Sequence, residues 1–122
     1  MMTGTVNGSR EAILPLRVTG PAGSAVVPAV IDTGFSGFLT LSPGTVLALG
    51  LVYVMRGAST LADGSRDEYD MYRADIEWFG TPRRVLVSAV GTEALLGMGL
   101  LAGCELRVEA VPGGAVEVRR LP

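Results

Sequence analysis

Turn-forming residues interrupt this chain before a long helix can build. It carries 17 Gly and 7 Pro in 122 residues, with Val, Ile and Thr spread between them. Gly and Pro oppose helix interiors, and β-branched residues suit a pleated surface. The segments between breakers therefore read as short strands. Ile13–Val18 and Ser24–Ile31 flank a turn at Gly20-Pro21-Ala22-Gly23, and Pro15 and Pro28 point to edge positions or irregular pairing. Phe38–Leu41 is a further strand. Ser42 then caps a helix that Pro43 opens and Gly50 stops after Leu49. Leu51–Leu61 and Glu68–Trp78 form a hairpin about Ala62-Asp63-Gly64-Ser65, because Asp-Gly tolerates the backbone of a tight turn. In its second arm Tyr72, Ala74, Ile76 and Trp78 line one face, with Arg73, Asp75 and Glu77 on the other; Tyr69 and Met71 soften the alternation. Gly80-Thr81-Pro82 turns the chain into Arg84–Val90, Leu100–Ala102 reads as a helical turn, and Glu105–Ala110 and Ala115–Leu121 close as a hairpin around Pro112-Gly113-Gly114. About eight or nine short strands with one or two short helices predict an all-β closed or nearly closed sheet. The length suits one core and no linker interrupts it, so residues 1–122 read as a single domain.

Several chemistries are excluded by what the chain lacks. It has no His, and all ten basic residues are Arg. That removes Ser-His-Asp and Cys-His nucleophiles, His-ligated metals, Schiff-base lysines and the P-loop lysine. The net charge of −2 leaves no basic footprint for nucleic acid or anionic membrane. No apolar run approaches the roughly 20 residues of a membrane span. The N-terminus has no basic segment followed by an apolar stretch, so a cytoplasmic protein is expected. Cys104 stands alone among apolar neighbours and reads as a packed thiol. Acid–base work, if there is any, falls to carboxylates. The run Asp67-Glu68-Tyr69-Asp70 resembles a cation site, yet on a strand it reads more simply as a solvated face. Arg83-Arg84 and Arg119-Arg120 read as surface charge, and Trp78-Phe79 as core or interface.

One carboxylate stands out. The apolar strand ending at Ile31 runs straight into Asp32-Thr33-Gly34, and apolar residues resume after it. A charge placed there is costly unless it is paired, protonated or useful. The residues alone also fit a plain strand end, with Asp and Thr bonding a turn. About half a chain later the triplet Leu95-Leu96-Gly97 again follows a strand, Arg84–Val90, and precedes a helical turn. The parallel suggests a duplicated unit with pseudo-two-fold symmetry.

Asp32-Thr33-Gly34 after an apolar strand, with Leu95-Leu96-Gly97 downstream, resembles the retropepsin-type aspartic proteases. The likeness is nearest to the small bacterial and archaeal predicted aspartyl proteases, whose motif runs Asp-Thr-Gly-Phe. It spans nearly the whole chain. It implies a retropepsin-like closed β-barrel with a flap hairpin, acting as a homodimer through the active-site loops and terminal strands, including Ala115–Leu121. It implies a peptide or protein substrate, no cofactor and no metal. Asp32 of each subunit would be catalytic, with Thr33 bonding across the axis and Gly34 offering its N–H to the carboxylate. Ala62-Asp63-Gly64 would be the flap tip. Phe35, Ser36, Leu61, Ala62, Asp63, Gly64 and Leu95 would meet substrate. The chain also departs from the viral pattern. Phe35 replaces a small residue, which implies a narrower cleft. Ser36 and Met98 stand where an Asp and Arg form an ion pair, so that brace is missing on both sides. Those departures leave open a second expectation, a non-catalytic dimeric module that binds extended peptides or only assembles. A metal-dependent hydrolase using Asp67–Asp70 is a third.

Overall fold

Alternation along Ala12–Gly20 sets the inner wall. Leu14, Leu16 and Val18 are wholly buried, whereas Pro15, Arg17 and Thr19 are exposed. A strand's side chains point to opposite faces in turn, so apolar residues at every second position create one dry side. The computed structural model describes residues 1–122. Its strands are β1 (Met2–Val6), β2 (Ala12–Gly20), β3 (Gly23–Ile31), β4 (Leu39–Leu41), β5 (Val52–Thr60), β6 (Arg66–Trp78), β7 (Thr81–Ala89), β8 (Ala94–Leu96), β9 (Cys104–Val108) and β10 (Ala115–Arg120). Helix α1 spans Pro43–Leu49 and α2 spans Met98–Leu101. No helix is long and apolar enough to cross a membrane.

The protein is mostly β, with a closed six-strand mixed barrel and two short helices. The sheet order is β5-β6-β7-β4-β8-β3-β2-β1-β10-β9, and β2 also pairs with β6 through Val18–Ile76 and Thr19–Asp75. That extra pairing joins β6, β7, β4, β8, β3 and β2 into a ring. Two of its pairings are parallel, β3 with β8 and β4 with β7; the others are antiparallel. Exchanging β1 with β5, β2 with β6, β3 with β7 and β4 with β8 returns the same order of pairings. The internal symmetry expected from the sequence is therefore present in the topology, but its register differs. Leu95 and Leu96 belong to β8, the counterpart of β4. The counterpart of the Asp32 loop is the segment between β7 and β8, not the Leu95-Leu96-Gly97 triplet.

Inside the ring Leu14, Leu16, Val18, Ala29, Leu39, Leu41, Ile76, Val87 and Leu96 are at most 1% exposed. Trp78 and Val85 extend the same cluster, and α1 and α2 cover it through Val46, Leu49, Leu100 and Leu101. Pro15 and Pro28 lie in interior strands, at the irregular pairing that prolines suggest. They face each other across β2 and β3. Neither has an N–H, so they suit a non-hydrogen-bonded pair whose outward positions are not needed. Indeed β1 pairs with β2 only at Ala12–Ile13 and β6 only at Val18–Thr19, leaving Pro15 between the two. Phe79 and Gly80 close the β6–β7 hairpin with φ of 53° and 77°. Such a turn is unusual for Phe. Its ring lies edge-on to Trp78 at 5.5 Å and beneath the Arg120 guanidinium at 4.5 Å.

Helix α1 begins and ends as its residues suggest. The Ser42 hydroxyl accepts the Thr45 N–H at 3.2 Å, and Gly50 ends the helix in the left-handed region at φ 62°. Ser42→Ala is expected to lower stability by about 1 kcal/mol, the usual worth of an N-cap, as read from the midpoint of a urea unfolding curve.

Candidate active site

The Asp32 loop is built by backbone bonds on both flanks. β3 and β8 run parallel with Ile31 opposite Leu96, and the Asp32 N–H donates to the Leu96 carbonyl at 2.9 Å. The side chain then turns back. Its Oδ1 accepts the Gly34 N–H at 2.9 Å, while the Phe35 N–H donates to the Asp32 carbonyl at 3.2 Å. This is the local turn that Asp forms with the backbone two residues on. Asp32 is half-buried and Thr33 and Gly34 are exposed. Gly34 supplies the only hydrogen bond to the carboxylate from its own chain, and no second acid bonds it.

A platform of glycines lies against the loop. The Met98 N–H donates to the Phe35 carbonyl at 2.7 Å, Gly99 N–H to Gly37 at 3.0 Å and Gly97 N–H to Phe38 at 3.0 Å. A Cβ at Gly97 would stand 2.7 Å from the Phe35 carbonyl oxygen, so only Gly allows this approach. Phe35 is half-buried and its ring folds back over Gly37 and Gly97. Leu95 is half-buried on β8 between Val30 and Thr40, whereas Ser36 is exposed and Met98 and Phe38 leave 46% and 38% of their surface open.

Thr40 is a support that the sequence did not advertise. It is buried, its hydroxyl donates to the Glu93 carbonyl at 3.3 Å and accepts the Leu95 N–H at 2.9 Å. It thereby pins β4 to the start of β8. Its only signal in the sequence was a polar residue between Leu39 and Leu41.

The hairpin tip stands apart. Leu61, Ala62, Asp63 and Gly64 are all exposed, and no hydrogen bond joins them to the Asp32 loop. The tip is ordered internally. Leu61 N–H donates to Ser65 at 2.8 Å, Gly64 takes φ 86°, and the Asp63 carboxylate accepts the Ser65 N–H at 2.9 Å and its hydroxyl at 2.5 Å. Those bonds, the hydroxyl first, hold Asp63 below the usual carboxylate range. A lowered pKa in the folded state means the bonds stabilise the tip above the ordinary carboxylate pKa and are lost as pH falls through the folded value. Acidification below the normal Asp range is therefore expected to release the Ser65 amide, seen as an NMR shift that Asp63→Ala removes.

The acidic run before Trp78 does not converge. Arg56 pairs with Asp70 at 2.9 Å and Glu68 at 3.6 Å on one face of the β5–β6 hairpin. Asp67 sits opposite Ser59, on the face where Tyr69 bonds Ser59 at 3.2 Å. Nowhere does the structure gather three acidic, His or Cys side chains that would hold a metal ion. Cys104 is half-buried against the core.

Fold and loop together define a class: a small mostly-β barrel that presents one ordered carboxylate at a surface loop, braced by glycine-to-glycine contacts. No family model matches the chain, and no curated protein shows significant similarity to it.

Proposed function

We propose that the protein is a retropepsin-like aspartic endopeptidase whose active site is completed by a second copy of the chain. The observation that carries this reading is the state of Asp32. One oxygen is held by the Gly34 N–H, Thr33 and Gly34 beside it are exposed, and no acid of its own chain bonds it. Amide hydrolysis by carboxylates needs two that share a proton, because like charges about 3 Å apart cannot both ionise. A two-fold axis at the loop would supply the second from the same gene. The ionised carboxyl then takes a proton from water, whose oxygen attacks the peptide carbonyl. The protonated carboxyl hydrogen-bonds that carbonyl, and proton transfer to the leaving amine completes cleavage.

Other parts fall into place around this reading. The exposed β5–β6 tip acts as the flap, with Leu61, Ala62, Asp63 and Gly64 closing over an extended peptide. Thr33, exposed beside Asp32, bonds across the axis. β10 is flanked by β1 and β9 in its own chain. A contact between terminal strands would therefore use the outer edge of β9 or the Met2–Thr3 end of β1, which β2 leaves unpaired.

A second reading is a dimeric peptide-binding module without catalysis. It is favoured by Ser36 and Met98, which leave the loop without the charged brace of the viral enzymes. The test is to assay the purified chain on peptide libraries from about pH 3 to about pH 7 and to measure its mass by sedimentation. Acid-leaning cleavage by a dimer, blocked by statine-type inhibitors, supports the peptidase. A dimer that binds peptides and never cleaves them supports the module. A monomer with no activity overturns both.

A further inference from the structure

We propose that Phe35 is a positioning residue for the Asp32 carboxylate, its ring acting as the wedge that clamps the Asp32 loop onto the Gly97–Gly99 platform. The proposal rests on the reading of Asp32 as the acid–base group. Between Thr33 and Phe38, and between Leu95 and Leu101, there is no charged side chain. What orders this loop is backbone bonding and one aromatic ring. Phe35 sits at the junction of the two. Its N–H reaches back to the Asp32 carbonyl at 3.2 Å, and its own carbonyl receives the Met98 N–H at 2.7 Å. The ring lies in the space that two absent side chains leave. A Cβ at Gly37 would stand 2.5 Å from ring Cζ and 2.6 Å from Cε1, and one at Gly97 would stand 2.6 Å from Cδ2. Seating the ring fixes the backbone of Phe35 and so the plane of the Gly34–Phe35 peptide. The neighbouring Gly34 N–H is the group that holds Asp32 Oδ1 at 2.9 Å. An apolar wedge is little affected by salt, so the clamp is expected to be insensitive to ionic strength, unlike an exposed ion pair.

The two glycines make different predictions. The three atoms nearest a Cβ at Gly37 all belong to the Phe35 ring, so Gly37→Ala evicts the ring and leaves the backbone alone. At Gly97 the nearest atoms include the Gly37 and Phe35 carbonyl oxygens, so Gly97→Ala separates loop and platform whatever residue stands at 35. The experiment compares the intact protein with Phe35→Leu, Phe35→Ala, Gly37→Ala and the Phe35→Ala/Gly37→Ala double variant. It reads the Gly34 amide shift and the hydrogen exchange of the Met98 amide against barrel amides such as that of Ile76. Phe35→Ala is expected to speed Met98 exchange by about tenfold or more and move the Gly34 resonance, with Ile76 little changed. Phe35→Leu should restore part of both. Gly37→Ala should match Phe35→Ala and add nothing in its presence, which is the mark of a shared mechanism. Unmoved Gly34 and Met98 amides in Phe35→Ala, or additive effects in the double variant, overturn the clamp. Should Phe35→Ala fail to fold, Phe35→Leu and Gly37→Ala carry the same comparison. On a cleaved peptide, Phe35→Leu should lower kcat with KM near its original value. An unchanged kcat in a variant whose Gly34 amide has moved sinks the positioning role. Responding amides in a chain that never cleaves peptides sink the peptidase reading and leave the clamp standing.

Discussion

Asp32→Asn is expected to abolish peptide cleavage, lowering kcat by about 10³-fold or more, while the chain folds and assembles as before. The substitution is chosen because it changes little else. An Asn side-chain oxygen can still accept the Gly34 N–H that Asp32 Oδ1 accepts at 2.9 Å. The strand bond from the residue-32 N–H to the Leu96 carbonyl does not involve the side chain at all. What the proposed pair would lose is the exchangeable proton that one carboxyl gives and the other takes. In the proposed dyad both acids derive from one gene, so a single substitution removes both. Unfolding curves and sedimentation should overlay those of the unaltered protein. If Asp32→Asn keeps more than a small fraction of the activity, another group performs the chemistry and the dyad is wrong.

Leu96→Ala is expected to have the largest effect on stability, about 2 to 5 kcal/mol, because it removes a wholly buried side chain from a packed barrel. Set against the roughly 5 to 15 kcal/mol that holds a typical domain, that is a large share. Leu96 lies where β8 meets both β3 and β4, opposite Ile31 and Leu39. Several strands would have to move together to fill the hole, and a closed ring resists that. The urea midpoint should fall with little change in slope. Leu47→Ala supplies the contrast: the same residue type is 82% exposed on α1, so its loss should be nearly neutral. The Leu96 carbonyl also holds the Asp32 N–H, so some disorder of the loop should accompany the destabilisation. Equal effects of the two substitutions would contradict the assignment of the core.

Local signals made several elements readable in advance. Helix α1 follows from Ser42, Pro43 and Gly50, whose capping chemistry acts within a few residues. The β5–β6 hairpin follows from Asp63-Gly64, although only Gly64 takes a positive φ. The buried face of β6 follows from Ala74, Ile76 and Trp78. β1 was harder, because Met2–Val6 is short and Gly4 interrupts its β-branched residues. It is a strand through its partners β10 and β2, and Gly4 passes closely over the Ile13 carbonyl. β8 was hidden for a related reason. Three apolar residues carry no period, and Ala94–Leu96 becomes a strand only between β3 and β4.

By itself the sequence determined that the chain would be mostly strand, where most of its hairpins would turn, which face of β6 would be dry and which acid stands at the end of an apolar strand. These depend on neighbours within a few residues, through φ restrictions, caps and alternation. Only the tertiary structure decided that Val18 meets Ile76 to close the ring, that Pro15 faces Pro28, and that the Phe35 ring lies over Gly37 and Gly97. Each joins residues whose proximity is created by packing, and no local rule carries that information. A carboxylate's place in the chain is written in its flanking residues; the groups that hold its loop in place are selected by the barrel that brings them together.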